Sequence, residues 1–149
     1  MRLKSVNLKT GSLVTKALAA LMKKEIIYNA DLHFEHENWQ REINFWEDEL
    51  KSFHKRLEEL VLRWTDKSVL AEIEKFQNKF MIQGKEFDSL KDQIAMHEKN
   101  MAAHYEKNED VLNKMFVNQH LDFRKVLETE RNLYNDLKKD FFRFLTKYM

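Results

Sequence analysis

The sequence predicts an all-α fold, an antiparallel three-helix bundle of long coiled-coil-like helices with a short N-terminal helix or tail. Three observations support this prediction. The 149 residues include no proline and only two glycines, so the residues that most often interrupt helices are almost absent. Hydrophobic residues make up 43% of the chain and charged residues 34%, which is typical of helices with one buried and one solvated face. Apolar residues also recur at alternating steps of four and three, the period of coiled-coil packing.

The clearest helix is predicted at residues 31–64. Its apolar stripe keeps the alternation of four and three over its whole length, and His36 is its one polar member. An average spacing of about 3.5 residues keeps one face of a helix directed at its neighbours. The stripe consists of Leu32, His36, Trp39, Ile43, Trp46, Leu50, Phe53, Leu57, Leu60 and Trp64.

Two further helices with the same period are predicted at about residues 67–104 and 109–147. The first break is short and Thr65 or Asp66 can cap the second helix, so we expect the first two helices to pack antiparallel. The second break is expected near residues 105–110, a polar and acidic stretch. The second stripe is Val69, Ile73, Phe76, Phe80, Gln83, Phe87, Leu90, Ile94, His97, Met101 and His104, and the third is Leu112, Phe116, Gln119, Phe123, Val126, Glu130, Leu133, Leu137, Phe141 and Phe144.

Turns centred at residues 66–67 and 106–107 align the three stripes into layers. In one of these layers Leu50 meets Gln83 and Glu130, and we expect the Gln83 amide to donate a hydrogen bond to the Glu130 carboxylate. Such a layer fixes the register of the helices. The expected apolar layers are Trp64/Val69/Phe144, Leu57/Phe76/Leu137, Phe53/Phe80/Leu133, Trp46/Phe87/Val126 and Ile43/Leu90/Phe123.

The same alignment gathers histidines at the end of the bundle that lies away from the first turn. His36 and His97 are expected to face each other, with Phe116 as the third member of their layer. Facing imidazole and carboxylate side chains are how helical bundles hold iron, manganese, zinc or copper. The candidate metal ligands are His36, His97, Glu37, His120, His33 and His104.

Two other interpretations of these histidines remain open. In the first, His36 and His97 hydrogen-bond each other or Gln119 and form only a structural polar layer. In the second, protonation of the facing imidazoles, which titrate near pH 6.5 when unperturbed, opens this end of the bundle. All three interpretations predict that the side chains lie close together.

Composition and charge exclude several classes of function. The net charge of +1, from 26 basic and 25 acidic residues, provides no basic surface for nucleic acid. The absence of cysteine excludes disulfides and thiolate-bound metals. The apolar stretch at residues 13–22 is too short to cross a bilayer and contains Lys16. We therefore expect a cytoplasmic protein without a membrane span, a nucleic-acid partner or a cofactor, apart from the metal ion considered above.

The N-terminal residues lack the regular period of the rest of the chain. Residues 1–29 are predicted to form a loosely attached tail or short helix, and residues 30–149 are predicted to form the bundle. Because the pattern begins only after Met22, that residue is also a possible start of the native protein.

Three segments carry a resemblance to known proteins. They are LHFEHENW at residues 32–39, WEDELKSFHKRLEEL at residues 46–60 and EKFQNKF at residues 74–80. Together they resemble a set of uncharacterised small helical-bundle proteins of bacteria, over residues 30–149. The resemblance implies a bacterial helical bundle and brings no activity with it. The stripe and the tryptophan early in the first helix are also similar to the packing of spectrin-type three-helix repeats.

Two functions follow from these observations as predictions. The first is a non-enzymatic helical bundle that acts through contacts with a protein partner or with itself, because no catalytic motif is present. The alternative is a metal-binding bundle with a site of histidines and carboxylates at its open end. The two differ in whether several of these side chains converge within one coordination sphere.

Overall fold

Three long helices make up the computed structural model, which describes the backbone of residues 2–107 and 114–149 and the side chains of residues 31–104 and 114–149. Helix α1 spans Arg2–Arg63, α2 spans Lys67–Lys107 and α3 spans Lys114–Tyr148. Over the described backbone there is no strand. The helices pack on one another, so the predicted all-α three-helix bundle is confirmed.

The first helix starts earlier than predicted. Helix α1 is continuous from Arg2, so the separate short helix and the break before residue 31 are absent. The physical reason is that no proline occurs here, and Gly11 costs a helix only about 1 kcal/mol relative to alanine. The attachment of residues 1–29 to the bundle stays a prediction. The predicted start of the third helix, at residues 109–113, lies outside the described residues.

A tight turn at residues 64–66 joins α1 to α2. The Asp66 carboxylate accepts hydrogen bonds from the Ser68 backbone N–H at 2.9 Å and from the Ser68 hydroxyl at 2.8 Å. The Asp66 carbonyl accepts the first helical bond, from Leu70 N at 3.0 Å. Asp66 is therefore the N-cap of α2, one of the two residues predicted for this role.

The predicted stripes of α1 and α2 form the main contact of the bundle. Every member of the first stripe that lies in α1 is buried, and Trp64, which follows the helix, is half-buried. The expected pairs are in contact, since the ring centroids of Trp46 and Phe87 are 5.1 Å apart and those of Phe53 and Phe80 are 5.5 Å apart. The antiparallel register of these two helices follows directly from their shared period.

The register of α3 differs from the prediction. Tyr134 packs against Trp46 and Phe87, with centroids 5.7 and 5.3 Å away, in the layer where Val126 was expected. Val126 is instead 43% exposed. The prediction placed the second turn too early, because α2 continues through residues 105–107. A later turn moves α3 along the other two helices and also rotates it.

The neighbouring aromatic layer shows the same shift. The ring centroid of Phe141 lies 5.0 Å from that of Phe53 and 4.9 Å from that of Phe80, in the layer where Leu133 was expected. Leu133 is instead 54% exposed. In the other expected layers, Phe123 and Leu137 are half-buried and Phe144 is buried. The buried side chains of α3 are Phe116, His120, Leu127, Tyr134, Phe141 and Phe144.

Polar contacts between the helices support this arrangement. The Gln83 amide donates to the Glu130 carboxylate at 2.8 Å, as predicted. Arg131 donates to both carboxylate oxygens of Glu42, and Lys138 donates to Glu49 at 3.2 Å. Since both of these ion pairs join residues 89 positions apart, α3 runs parallel to α1.

The register of α3 can be tested with a matched pair of leucines. Leu127 is 1% exposed and Leu133 is 54% exposed. Leu127→Ala is expected to lower the free energy of unfolding by about 2–5 kcal/mol, because it leaves a cavity, whereas Leu133→Ala costs less than about 1 kcal/mol. Urea unfolding followed by circular dichroism measures both values. A larger loss for Leu133→Ala than for Leu127→Ala would contradict this register of α3 and support the one predicted from the sequence.

Candidate metal centre

Three buried histidines, one from each helix, meet in one layer near the end of the bundle opposite the α1–α2 turn. They are His36 of α1, His97 of α2 and His120 of α3, and they are 1%, 5% and 0% exposed. One ring nitrogen from each of them lies within 4.8 Å of the corresponding nitrogens of the other two. A triad of converging imidazole nitrogens is a ligand set for a transition metal ion.

The helical period explains why these side chains converge. His36 and His97 occupy positions in the buried stripes of α1 and α2, where neighbouring members are apolar. His120 occupies the same kind of position in α3, at steps of four and three between Phe116 and Leu127. His120, rather than the predicted Phe116, therefore completes the layer. The ring centroid of His36 is 4.9 Å from that of His120 and 5.2 Å from that of His97.

The hydrogen bonds of the three rings indicate which nitrogens carry protons. His120 Nε2 bonds the Glu35 carboxylate, which can only accept, so His120 Nδ1 carries a lone pair. His36 Nε2 lies 3.0 Å from that Nδ1 and donates to it. His97 Nδ1 donates to Gln119 Oε1 at 3.2 Å, which leaves the lone pair on Nε2. Each ring is thus held in one tautomer by a neighbour.

Two of the ring nitrogens are buried without a hydrogen-bond partner among the described residues. They are His36 Nδ1 and His97 Nε2. A buried nitrogen in this condition costs about 1–3 kcal/mol. Both nitrogens carry lone pairs in the tautomers described above, so both can bind a metal ion.

The surroundings keep the three imidazoles neutral. Burial is the main reason that the pKa of His36 is lowered to about 3, and the nearby His120 and His97 rings contribute to the same change. Burial also lowers the pKa of His120 to about 4, although the hydrogen bond that its ring donates to Glu35 opposes this change. Burial lowers the pKa of His97 in the same way. Neutral imidazole is the form that binds metal ions, so the site needs no deprotonation at neutral pH.

The Glu35 carboxylate is hydrogen-bonded to one of the three histidines, His120. Arg124 Nε donates to Glu35 Oε1 at 2.6 Å and to Oε2 at 3.0 Å. Burial raises the pKa of Glu35, but the hydrogen bonds from Arg124 and His120 outweigh burial and the net pKa is lowered. Glu35 is therefore ionised and orients the His120 ring. Metal-binding histidines usually donate their second N–H to such a carboxylate.

A second carboxylate lies beside His36. Glu98 Oε1 is 3.9 Å from His36 Nδ1, one of the two unpartnered nitrogens. The same oxygen contacts His33 Nδ1. Glu98 is thus available as an additional oxygen ligand. Glu35 and Glu98 were missed as individual site residues, and the available signal was their position directly beside His36 and His97 in the sequence.

Three of the predicted ligands lie outside the histidine triad. His33 is on the surface, where its Nε2 contacts Glu37 Oε1 at 3.0 Å and its Nδ1 contacts Glu98. The hydrogen bond with Glu98 is the main reason that the pKa of His33 is raised. Glu37 also approaches Arg41, at 3.8 Å. His104 packs on Phe116 with ring centroids 5.1 Å apart.

Aromatic rings enclose the triad. Trp39 stacks on His120 with a centroid distance of 4.8 Å and an interplanar angle of 26°. The centroid of Phe123 lies 5.1 Å from that of His97. These rings pack against the imidazoles and contribute to their burial. The site therefore has a low local dielectric constant, in which metal–ligand interactions are strong.

Comparisons with known proteins found no matching family model, no matching curated protein and no matching solved structure. Among the described residues, no helix combines the length and the apolar character needed to cross a membrane. The function is therefore argued from the site itself.

The lowered histidine pKa values predict acid sensitivity of the metal-free protein. In the unfolded chain a histidine titrates near pH 6.5, so the unfolded state binds more protons than the folded state once the pH falls below that value. As the pH falls from 6.5 to 5, the free energy of unfolding is therefore expected to decrease by about 2 kcal/mol for each of His36 and His120. Glu35, which accepts a hydrogen bond from the His120 ring, has a lowered pKa and contributes little to the change over this interval.

Urea unfolding of the metal-free protein at pH 7.5, 6.5, 5.5 and 5.0 measures this dependence. The double variant His36→Gln/His120→Gln should lose most of the slope over the same interval, whatever its absolute stability. An unfolding free energy that is independent of pH from 7.5 to 5.0 in the wild-type protein would contradict the burial of neutral histidines.

Proposed function

We propose that this protein binds one divalent transition-metal ion through His36, His97 and His120. The observation that carries the proposal is that three neutral, buried imidazoles converge while His36 Nδ1 and His97 Nε2 have no partner among the described residues. A metal ion bound by the three rings would use the two lone pairs that the protein otherwise leaves unsatisfied, together with that of His120 Nδ1.

A purely structural polar layer explains the triad less well. Elsewhere in the same bundle, Gln83 and Glu130 form such a layer, and the Gln83 amide donates to its partner at 2.8 Å. The histidine layer keeps two unsatisfied nitrogens at a cost of about 1–3 kcal/mol each. Apolar residues at these positions would avoid that cost. The donor set therefore favours a ligand that binds lone pairs.

The chemistry of the donors selects the kind of ion. Three imidazoles without a thiolate suit zinc, copper, iron or nickel, whereas manganese prefers a site richer in carboxylates. Three protein ligands leave at least one coordination position for water or for the Glu98 carboxylate, which is 3.9 Å from His36 Nδ1. Among the ions considered from the sequence, zinc, copper and iron therefore fit better than manganese.

Small side-chain movements suffice for binding. Zinc–nitrogen bonds of about 2.0–2.1 Å place neighbouring ligand nitrogens roughly 3.4 Å apart in a tetrahedral site. One ring nitrogen of each of the three histidines already lies within 4.8 Å of those of the other two. Rotation of the rings about their side-chain bonds closes this difference without movement of the helices.

Metal titration of the metal-free protein tests the proposal. Binding of Zn²⁺ is measured by isothermal calorimetry and binding of Co²⁺ by its visible absorption. For each metal, one ion is expected to bind per chain. His120→Gln should weaken binding at least 100-fold because a ligand is lost. Glu35→Gln should weaken binding by about 10–100-fold because the ligand loses its orienting partner.

His104→Gln is the matched control. It removes a nearby histidine that packs on Phe116 and lies outside the triad, so metal affinity should stay within about twofold of the wild type. Absence of stoichiometric binding to the wild-type protein would overturn the proposal. Equal losses in His104→Gln and His120→Gln would also overturn it, since binding would then be a property of surface histidines.

Action through protein contacts is a second candidate function. Exposed large apolar side chains favour it, including Phe45 at 61% and Leu133 at 54% exposure. The partner in this case is another protein or a second copy of the chain. Sedimentation velocity over a range of concentrations tests self-association. If the protein is monomeric at all concentrations, the partner must be a different protein.

A further inference from the structure

A pocket of about 880 Å³ lies between α2 and α3, beside the histidine triad. Its volume falls in the range of small-molecule sites, about 300–1,000 Å³. His97 and Gln119, which are hydrogen-bonded to each other, are part of its wall. The pocket thus lies next to the triad, and among its lining residues only His97 belongs to the set proposed to bind metal.

The charge of the pocket is negative. Asp92 of α2 and Asp122 of α3 line it, and its wall contains no lysine or arginine. Neither aspartate forms an ion pair within the described residues. By contrast, the interhelical carboxylates of Glu42 and Glu49 are each paired with a basic side chain. Two unpaired carboxylates across one cavity attract a cation and disfavour an anion.

The remaining walls suit an apolar body. Met96 and Val126 line the pocket and are 59% and 43% exposed, so their apolar surface is not used by the core of the bundle. Phe123 lines the same pocket and is half-buried, so part of its ring is available to an apolar group. The pocket therefore combines negative charge, an aromatic ring and free apolar surface.

We propose that this α2–α3 pocket binds a small organic cation, an amine with a compact apolar body. The ammonium group lies between Asp92 and Asp122, and its N–H groups donate to these two carboxylates. The apolar body packs on Phe123 and the neighbouring aliphatic side chains. A carboxylate or phosphate in the same position would face two like charges without a basic residue to bind it.

The inference does not depend on the metal ion. All of the contacts it uses come from side chains of the pocket in the metal-free protein, so it is tested without added metal. Failure of metal binding and failure of amine binding are therefore separate results.

Three probes of similar shape and different charge test the proposal: 2-phenylethylamine, 2-phenylethanol and 3-phenylpropionate. Each is titrated into the metal-free protein and followed by ¹H–¹⁵N NMR, in which the side-chain amides of Asn100 and Gln119 report on the pocket. The amine should bind at least fivefold more tightly than the alcohol, and the carboxylate should bind most weakly.

Variants that remove the charge give the decisive comparison. Asp92→Asn/Asp122→Asn should reduce the preference for the amine over the alcohol to less than about twofold. The control Asp136→Asn/Asp140→Asn neutralises the same number of aspartates on α3 outside the pocket and should keep the preference. Equal binding of the three probes, no shifts of the pocket amides at millimolar amine, or an equal effect in the control would each overturn the proposal.

Discussion

The antiparallel contact between α1 and α2 is the constraint on which the rest of the structure depends. A connection of only three residues, 64–66, forces the two helices to lie side by side, and Asp66 starts α2 by capping it. Two stripes with the same period then meet along their whole length. The position of His36 opposite His97, with ring centroids 5.2 Å apart, is a direct consequence of that register.

Helix α3 completes both the core and the site. Tyr134 and Phe141 fill aromatic layers between α1 and α2, and burying large aromatic side chains is a major source of stability. The same stripe brings His120 to the layer of His36 and His97. The stability of the aromatic layers offsets the cost of burying polar rings, so a polar cluster can persist at one end of the bundle.

The histidine layer differs physically from the other polar layer in the bundle. Gln83 and Glu130 satisfy each other, so that layer can specify register without any further group. In the triad, Glu35 and Gln119 hold two rings in defined tautomers and leave lone pairs within the cluster. This pattern of orienting partners outside and free lone pairs inside is the arrangement that metal sites require.

The sequence predicts the part of α1 from residue 31 onward, α2 and their register well, because the period is long and unbroken and the turn between them is short. It predicts α3 less well, since the polar stretch at the second connection, residues 105–110, is longer than the one at the first and does not specify the position of the turn. Two apolar stripes are also available on α3, one through Val126 and Leu133 and another through Leu127 and Tyr134. Only packing against both other helices selects the second.

Part of the candidate site can be predicted for the same reasons. His36 and His97 are identified because they interrupt apolar stripes whose register is known. His120 is among the candidate ligands, but its place in the layer depends on the register of α3. Glu35 and Glu98 cannot be singled out from 25 acidic residues by spacing alone, because their roles depend on side-chain orientation.

X-ray absorption at the metal edge of the zinc-loaded protein tests the central claim most directly. We predict a first shell dominated by three nitrogen ligands at about 2.0–2.1 Å, with the outer-shell scattering of three imidazole rings and one further oxygen or nitrogen. A shell of oxygen ligands alone, or scattering from a single imidazole, would contradict the assignment of His36, His97 and His120 as one metal site.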